Sequence, residues 1–214
     1  MPFQPTLTIM PFILLIRHAE NDYVKNCRLA GRLPDVHLNE NGRLQVQTLV
    51  EKLTGAPLKA VYSSPLERAL ETAQPLASAF GLEVEVRPGL IELDVGEWQG
   101  KSWKGLRRLK IWKTVQATPS RMRFPGGESF SEAQFRVCQE IDQIASRHEA
   151  QELVACVSHG DPIKLAVAHF IGLPLDSFQR LVVGPASITT LQIGETSSRL
   201  LSLNYEFSFN YPKS

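Results

Sequence analysis

The chain has 214 residues, of which 43% are hydrophobic and 21% are charged, and its formal net charge is +1 at pH 7. This length suits one hydrophobic core better than two. Because neither sign of charge dominates, the balance argues against a nucleic-acid or membrane-surface role for the whole chain. We therefore expect a single domain over residues 1–214 whose strong electrostatic features are local.

The amino terminus and the cysteines bear on the compartment. Met1–Thr8 has no Lys or Arg before the short apolar stretch Ile9–Ile16, so the sequence predicts neither a signal peptide nor a membrane span. We interpret the tail as frayed, with Met10 as an alternative start. The cysteines are odd in number and widely spaced, at Cys27, Cys138 and Cys156. That pattern favours free thiols in a reducing cytoplasm.

The first strong signal along the chain is a continuous apolar run, Phe12–Ile16, followed by Arg17 and His18. Such a run is typical of a strand that is buried on both faces in the middle of a sheet. Neighbouring side chains of a regular strand point to opposite faces. Arg17 and His18 can therefore share one site only if the chain leaves extended geometry there, which the end of a strand allows.

The second signal is the apolar run Ala60–Ser63, which leads into a predicted helix. Ser64 can cap this helix, Pro65 suits its first position, and Glu67 completes a capping box. Arg68 would then lie in the first turn. The alternative is that Arg68 only forms a surface ion pair with a neighbouring glutamate.

The third signal is Leu153–Val157, which is followed by Ser158, His159 and Gly160. Pro162 predicts the start of the next helix. The remaining periodic segments predict helices at Arg43–Leu53 and Ser129–Arg147 and strands at Glu83–Val86, Ser187–Ile193 and Arg199–Tyr205. Strands that alternate with helices predict an α/β fold with a mostly parallel sheet.

In open α/β sheets, ligands bind beyond the carboxyl ends of the strands, so the three turns should meet. Two arginines, Arg17 and Arg68, near His18 and His159 describe an anion site, and phosphate is the expected anion. A neutral imidazole that is held at one ring nitrogen can attack phosphorus with the other and form a covalent intermediate. The arginines and a protonated second histidine would hold the phosphoryl oxygens.

The leaving alkoxide also needs a proton. A carboxylic acid near the anionic centre keeps its proton more easily, because like charge raises its pKa. Glu92 is our candidate, and by position alone Asp94 and Glu97 compete with it. A solvated Glu92 at a strand end is the alternative.

Five blocks occur in a fixed order: Ile16–Glu20, Ser63–Ala69, Ile91–Trp98, Phe124–Ser129 and Ser158–Asp161. Together they resemble the histidine phosphatase superfamily, in its phosphoglycerate-mutase-like branch, over about residues 13–172. The resemblance implies a three-layer α/β/α sandwich with a mostly parallel central sheet and no metal, and we expect no other cofactor. It assigns phosphate acceptance to His18, proton donation to Glu92, and the phosphate pocket to Arg17, Arg68 and His159.

The resemblance implies two further contacts to the phosphoryl group, from Asn21 and from the backbone of Gly160. There are also two departures from the family pattern. Ala19 replaces the usual Gly after the catalytic His, which is tolerable if the local φ is negative. Val24 stands where many members have an Asn, and this removes a donor that helps to hold the phosphate.

The segment from Lys101 to Arg123 has eight basic residues and no acidic ones, with Trp103 and Trp112 among them. A basic flap or insertion at residues 100–130, lying over the site, would attract a polyanionic substrate. The alternative is a solvated basic helix whose aromatic residues contact the core. Nucleic acid has less support, because the rest of the chain shows no basic excess.

The hypothesis that results is a phosphomonoester hydrolase that acts through a phosphohistidine at His18 on a small, polyanionic phosphorylated metabolite. A phosphomutase with the same intermediate and a phospholigand-binding pseudoenzyme with little turnover stay open. A histidine metal site is disfavoured because the flanking arginines would repel a cation. We expect no nucleic-acid or membrane partner, and a homodimer is left open.

Overall fold

The computed structural model describes residues 11–194 and 197–207. The predictions about the tail and about an alternative start at Met10 therefore lie outside the described residues. The strands are β1 Phe12–Arg17, β2 Leu58–Ser63, β3 Val84–Val86, β4 Leu153–Ser158, β5 Ile188–Ile193 and β6 Ser198–Tyr205. The helices are α1 Asp22–Lys25, α2 Glu40–Leu53, α3 Glu67–Ala79, α4 Trp103–Leu106, α5 Trp112–Ala117, α6 Phe130–Ala145 and α7 Gly160–Phe170.

The strands form one six-stranded sheet in the order β3-β2-β4-β1-β5-β6. Strands β3, β2, β4 and β1 pair in parallel. Strand β5 runs antiparallel to β1, and β6 runs antiparallel to β5. The prediction of a mostly parallel sheet, with β1 inside it, is confirmed.

Alternate residues of β1 are buried in two different cores. Ile13 and Leu15 pack with residues of α6 and α7 such as Ile141. Leu14 and Ile16 pack instead in a second core with residues of α2 and α3. Both faces of the sheet are therefore covered by helices, and the predicted three-layer α/β/α sandwich is confirmed.

The predicted start of α3 is wrong. The helix begins at Glu67, and its N-cap is Leu66, which makes no side-chain capping bond. The hydroxyl of Ser64 lies 2.7 Å from Nε2 of His159, so the serine side chain is used across the sheet edge and does not cap the helix. Arg68 still lies in the first turn, as predicted.

Two other helix starts differ from the sequence prediction. Helix α7 begins at Gly160, two residues before Pro162. A proline is tolerated there because N–H groups in the first turn have no partner within the helix. Helix α2 begins at Glu40, three residues before the predicted Arg43, and its cap is the side chain of Asn39. Ser129 and Glu132 form a capping box at the start of α6.

The basic segment forms two short helices, α4 and α5, followed by a 3₁₀ turn at Pro119–Arg121. Trp112 stacks on Trp98, with ring centroids 6.3 Å apart, and meets Trp103 edge to face. The tryptophans anchor the segment while its basic residues are exposed. Among the described residues, no helix is both long enough and apolar enough to cross a bilayer.

Candidate active site

Strands β2, β4 and β1 are neighbours, and their carboxyl ends place the three predicted turns side by side. A cavity of about 560 Å³ opens at this edge. Six of the seven sequence-predicted site residues line it: Arg17, His18, Asn21, Arg68, Glu92 and Gly160. The seventh, His159, lies directly behind them, with its ring centroid 5.2 Å from that of His18.

His18 is held in one tautomer. Its Nδ1 lies 2.7 Å from the carbonyl oxygen of Ala19, and since a carbonyl only accepts, Nδ1 carries the proton. Nε2 has no hydrogen-bond partner within the described chain and is left with a lone pair. Burial, followed by the charges of Arg68 and Arg17, lowers the pKa of His18 well below its ordinary value. The ring is therefore neutral and nucleophilic at neutral pH.

Arg17 reaches the same cavity because the chain turns at the end of β1. Its Nη1 donates to the carbonyl oxygen of Val183 over 2.7 Å, which holds the guanidinium sideways. A Cβ atom on Gly160 would lie 3.4 Å from Nε and Cζ of Arg17. The glycine therefore leaves room for the guanidinium to pack against the start of α7.

Arg68 is 1% exposed and has no carboxylate partner among the described residues. Its Nη2 donates to the carbonyl oxygen of Gly31 over 2.7 Å. Glu71, one of the glutamates that could have paired with it, binds His37 and the backbone of Leu38. The geometry therefore excludes the surface ion pair that was the alternative for Arg68.

His159 is fully buried. Burial and the charge of Arg68 lower its pKa well below the ordinary value, which differs from the expected protonated ring. The ring does not need a second proton in order to donate. If Nε2 accepts from the hydroxyl of Ser64, 2.7 Å away, then Nδ1 carries a hydrogen that faces Glu92, whose Oε2 is 4.0 Å distant.

Glu92 is separated from its two competitors by position. It lines the cavity, whereas the Asp94 carboxylate accepts from the backbone of Gly96 and Glu97 is exposed. Burial, with a further contribution from Asp161, raises the pKa of Glu92 to about 7, although Arg68 opposes the rise. A carboxyl group with that pKa can give up a proton and take one back near neutral pH.

Several buried donors at this edge have no partner in the described structure. They are Nε of Arg17, Nδ2 of Asn21, Nε and Nη1 of Arg68, and Nδ1 of His159. Buried donors normally have a hydrogen-bond partner, and leaving one donor without a partner costs about 1–3 kcal/mol. Because the five atoms belong to residues around His18, they indicate a site that is built to bind an anion.

The outer wall of the cavity is mixed. Its apolar part includes Trp103, Trp112 and Val182, while Arg107 and Lys164 add positive charge. Lys164 is paired with Asp161. Arg107 is exposed and forms no ion pair with any described residue. One cation of the basic segment thus faces the cavity without a counter-ion.

The two departures from the family pattern have different consequences. Ala19 is fully buried and is not among the residues with positive φ. Its N–H donates to Oγ1 of Thr72 over 3.1 Å, so the added methyl group is accommodated. Val24 lines the cavity, and its N–H donates to the Asn21 side chain over 2.9 Å. That bond leaves Nδ2 of Asn21 free to donate.

Sequence reasoning missed several residues of the site. The wall formed by Leu181, Val182 and Val183 precedes β5 in an irregular loop, and no periodicity marks it. The sequence pattern predicted that the Ser64 side chain caps a helix, and it gave no sign of the bond from Ser64 to His159. Within the described residues, no group of three His, Cys, Asp or Glu side chains could hold a metal ion. That no metal takes part stays a prediction.

Relatives of known activity match over most of the chain. Phosphoserine phosphatase 1 of Hydrogenobacter thermophilus is 31% identical over 194 residues, which is 90% of this chain and 91% of the relative. The 2,3-bisphosphoglycerate-dependent phosphoglycerate mutase of Thermoplasma acidophilum is 29% identical over 192 residues, or 86% and 88% of the two chains. This protein is therefore similar both to a phosphatase and to a mutase.

Solved structures agree with these matches. A mycobacterial glucosyl-3-phosphoglycerate phosphatase in complex with VO3 superposes with a TM-score of 0.83 at 28% identity, covering 91% of this chain and 99% of the other. A histidine-to-alanine mutant of the phosphoserine phosphatase of Entamoeba histolytica, in complex with phosphoserine, also gives 0.83, at 26% identity, with coverages of 91% and 97%. A sequence profile described as histidine phosphatase superfamily (branch 1) matches residues 13–206. The chain belongs to the histidine phosphatase superfamily.

Proposed function

We propose that this chain is a phosphomonoester hydrolase that acts through a phosphohistidine at His18. The observation that carries the proposal is the set of five unpartnered buried donor atoms around a neutral imidazole. A phosphoryl group bound among them would satisfy these donors and lie within reach of Nε2. Charge-assisted bonds of this kind contribute about 1.5–3 kcal/mol each.

In the first step, Nε2 of His18 attacks phosphorus and the bond to the leaving oxygen breaks. Arg17, Arg68 and the Nδ1 hydrogen of His159 bind the equatorial oxygens as their charge grows. Protonated Glu92 transfers its proton to the leaving oxygen, so that an alcohol departs. In the second step, the carboxylate of Glu92 takes a proton from water, which attacks phosphorus and releases inorganic phosphate and free His18.

We propose that the substrate is small and carries negative charge beyond the phosphate that is transferred. The cavity of about 560 Å³ suits a small metabolite, and the unpaired Arg107 at its wall supports a second anionic group. The relatives named above act on or bind phosphoserine and glucosyl-3-phosphoglycerate. Arg107→Gln should raise KM several-fold for a multiply charged monoester but not for p-nitrophenyl phosphate. Arg121→Gln, which changes an exposed residue of the same segment outside the cavity, is the control.

The test of the reaction is release of inorganic phosphate from a panel of monoesters. His18→Ala should abolish release, and it should also abolish an acid-labile phosphoryl group that is trapped on the wild-type chain. His37→Ala is the matched control, because it removes an exposed histidine that lies before α2 and pairs with Glu71 of α3. Phosphate transfer that requires a bisphosphorylated primer would instead support a mutase, and tight vanadate binding without turnover would support a pseudoenzyme.

We also propose that residues 1–214 act as a single domain in which residues 100–130 form a basic flap over the site. Trp103, Trp112 and Arg107 in the cavity wall support this. The three free cysteines, two of them buried, support a reducing compartment such as the cytoplasm.

A further inference from the structure

Glu128 lies outside the cavity but is the centre of a charged cluster beside the segment that carries Glu92. One of its carboxylate oxygens, Oε1, accepts from Nη2 of Arg136 over 2.7 Å and from Nη2 of Arg32 over 3.0 Å. The same oxygen accepts from the backbone N–H of Asp94 over 2.9 Å. We call Arg32, Glu128 and Arg136 the clamp.

The two arginines bind the backbone on either side of Glu92. Nη1 of Arg136 donates to the carbonyl oxygens of Gly89 and Ile91 over 2.8 and 2.9 Å. Nε of Arg32 donates to the carbonyl oxygen of Glu92 itself over 2.8 Å. The N–H of Asp94 donates to Glu128, so the clamp makes four hydrogen bonds in all to the backbone between residues 89 and 94.

Other bonds hold the two ends of this segment: Glu140 binds the N–H of Gly89, Ser158 binds the carbonyl of Leu90, and the N–H of Glu128 binds the carbonyl of Asp94. At residues 91–93, the hydrogen bonds from outside come from the clamp. Residues 91–94 of the segment lie between two 3₁₀ turns, Pro88–Leu90 and Gly96–Trp98, and are part of no strand. The Glu92 carboxylate accepts only from the neighbouring N–H of Leu93, over 2.9 Å, among hydrogen bonds within the described residues. A residue on an irregular segment keeps a fixed position only if its backbone is bound from outside.

The clamp is itself partly buried. The side-chain exposures are 16% for Glu128, 23% for Arg136 and 28% for Arg32. The carboxylate stands between two guanidinium groups, so loss of its charge would leave two cations facing each other. Removing one member of such a partly buried network costs more than breaking an exposed pair.

We propose that Glu128 is a positioning residue for general-acid catalysis, which acts through the clamp by holding the backbone of Glu92 in place. This proposal rests on the proposed function, since it assigns Glu128 to the step in which Glu92 protonates the leaving oxygen. Glu128 does not touch the substrate. Its effect is confined to how well the Glu92 carboxyl group reaches that oxygen.

The leaving group separates this role from a merely structural one. An alkyl phosphate needs a proton on its leaving oxygen, whereas p-nitrophenolate departs without one. Glu128→Gln should therefore lower kcat/KM about 10- to 100-fold for an alkyl phosphate and less than about threefold for p-nitrophenyl phosphate. Glu132→Gln is the matched control, because Glu132 also pairs with an arginine near the start of α6 but does not contact residues 89–94.

A double-mutant cycle gives a second measure. In a Glu92→Gln background, Glu128→Gln should lower kcat/KM for alkyl phosphates little further, since the carboxyl group that Glu128 positions is already absent. Additive losses, equal losses for both leaving groups, or a loss that Glu132→Gln matches would overturn the proposal.

A readout that is independent of turnover distinguishes failure of this proposal from failure of the proposed function. The carboxyl group of Glu92 can be titrated by NMR on ¹³C-glutamate-labelled protein, with Glu92→Gln to assign its signal. Its charged neighbours are Arg17, Arg68 and Asp161, with His159 nearby. In Glu128→Gln a released segment lets water reach Glu92, so its pKa should fall towards the ordinary value. An unchanged titration would refute the clamp even if the wild type proves not to be a phosphatase.

Discussion

Arg68→Met tests the anion site most directly, because it removes one guanidinium while it keeps much of the side-chain volume. Two donors of Arg68, Nε and Nη1, are buried without a partner, while Nη2 binds the carbonyl of Gly31. If both free donors bind the phosphoryl group at about 1.5–3 kcal/mol each, their loss removes about 3–6 kcal/mol. We therefore expect kcat/KM to fall by about 10² to 10⁴.

The same change should shift the pH profile. After burial, the charge of Arg68 is the largest influence that lowers the pKa of His18. Without that charge the pKa of His18 rises, so the imidazole is protonated and loses its nucleophilic lone pair at a higher pH. The acid limb of kcat/KM should move upward in Arg68→Met.

Stability should respond differently from activity. Arg68 is buried, lies near the like charge of Arg17 and forms no ion pair with the described residues. Replacement of such a cation by an apolar side chain is often neutral or stabilising. We expect the unfolding free energy to change by less than about 1 kcal/mol, or to increase.

The assay is kcat/KM for p-nitrophenyl phosphate across pH, together with thermal unfolding with and without vanadate. Vanadate should raise the Tm of the wild type and not that of Arg68→Met, since the oxyanion no longer finds these donors. Arg43→Met, at an exposed arginine that also binds one backbone carbonyl, is the control. Activity within threefold of wild type, or a loss accompanied by unfolding, would refute the reasoning.

Four other substitutions have expected outcomes. Glu92→Gln should remove the decline of kcat/KM above about pH 7. Because a folded-state pKa raised from 4.5 to about 7 penalises the ionised acid, the substitution should also stabilise the fold at pH 8 by about 3 kcal/mol, with no difference near pH 4. Ala19→Gly should cost about 1 kcal/mol in urea unfolding and leave kcat/KM within twofold, because the alanine methyl is buried without strain. Gly127→Ala should lower the free energy of unfolding by at least about 2 kcal/mol, since the new Cβ would lie 2.2 Å from the carbonyl oxygen of Asp94. Gly105→Ala is the control and should be tolerated, because its Cβ would meet Oγ of Ser102 only at 3.4 Å.

The sequence was sufficient for the sheet and for the residues at its edge. The apolar run of β1 and the polar turn after it predicted a central strand with Arg17 and His18 at its end, because continuous apolar runs are buried on both faces. The order of the motifs selected Glu92 over Asp94 through resemblance alone. The structure places Glu92 in the cavity and turns Asp94 towards Gly96.

Local patterns failed where a side chain has a distant partner. Ser64 carries a capping signature, yet its hydroxyl binds His159, 95 residues away. The sequence predicted the helix that follows Glu128, at Ser129–Arg147, and this helix is present as α6 with Ser129 as its cap. The bonds from Glu128 to Arg32 and Asp94 span 96 and 34 residues, a separation that no periodicity records.

The sequence by itself therefore determined which chemical groups stand at the ends of β1, β2 and β4, because the 2.0 and 3.6 residue periods report burial over a few neighbouring positions. Only the tertiary structure decided which nitrogen of His18 is free, which donors lack partners, and what holds Glu92 in place. Each of these depends on atoms that are far apart along the chain and are brought into contact by the packing of the sheet edge.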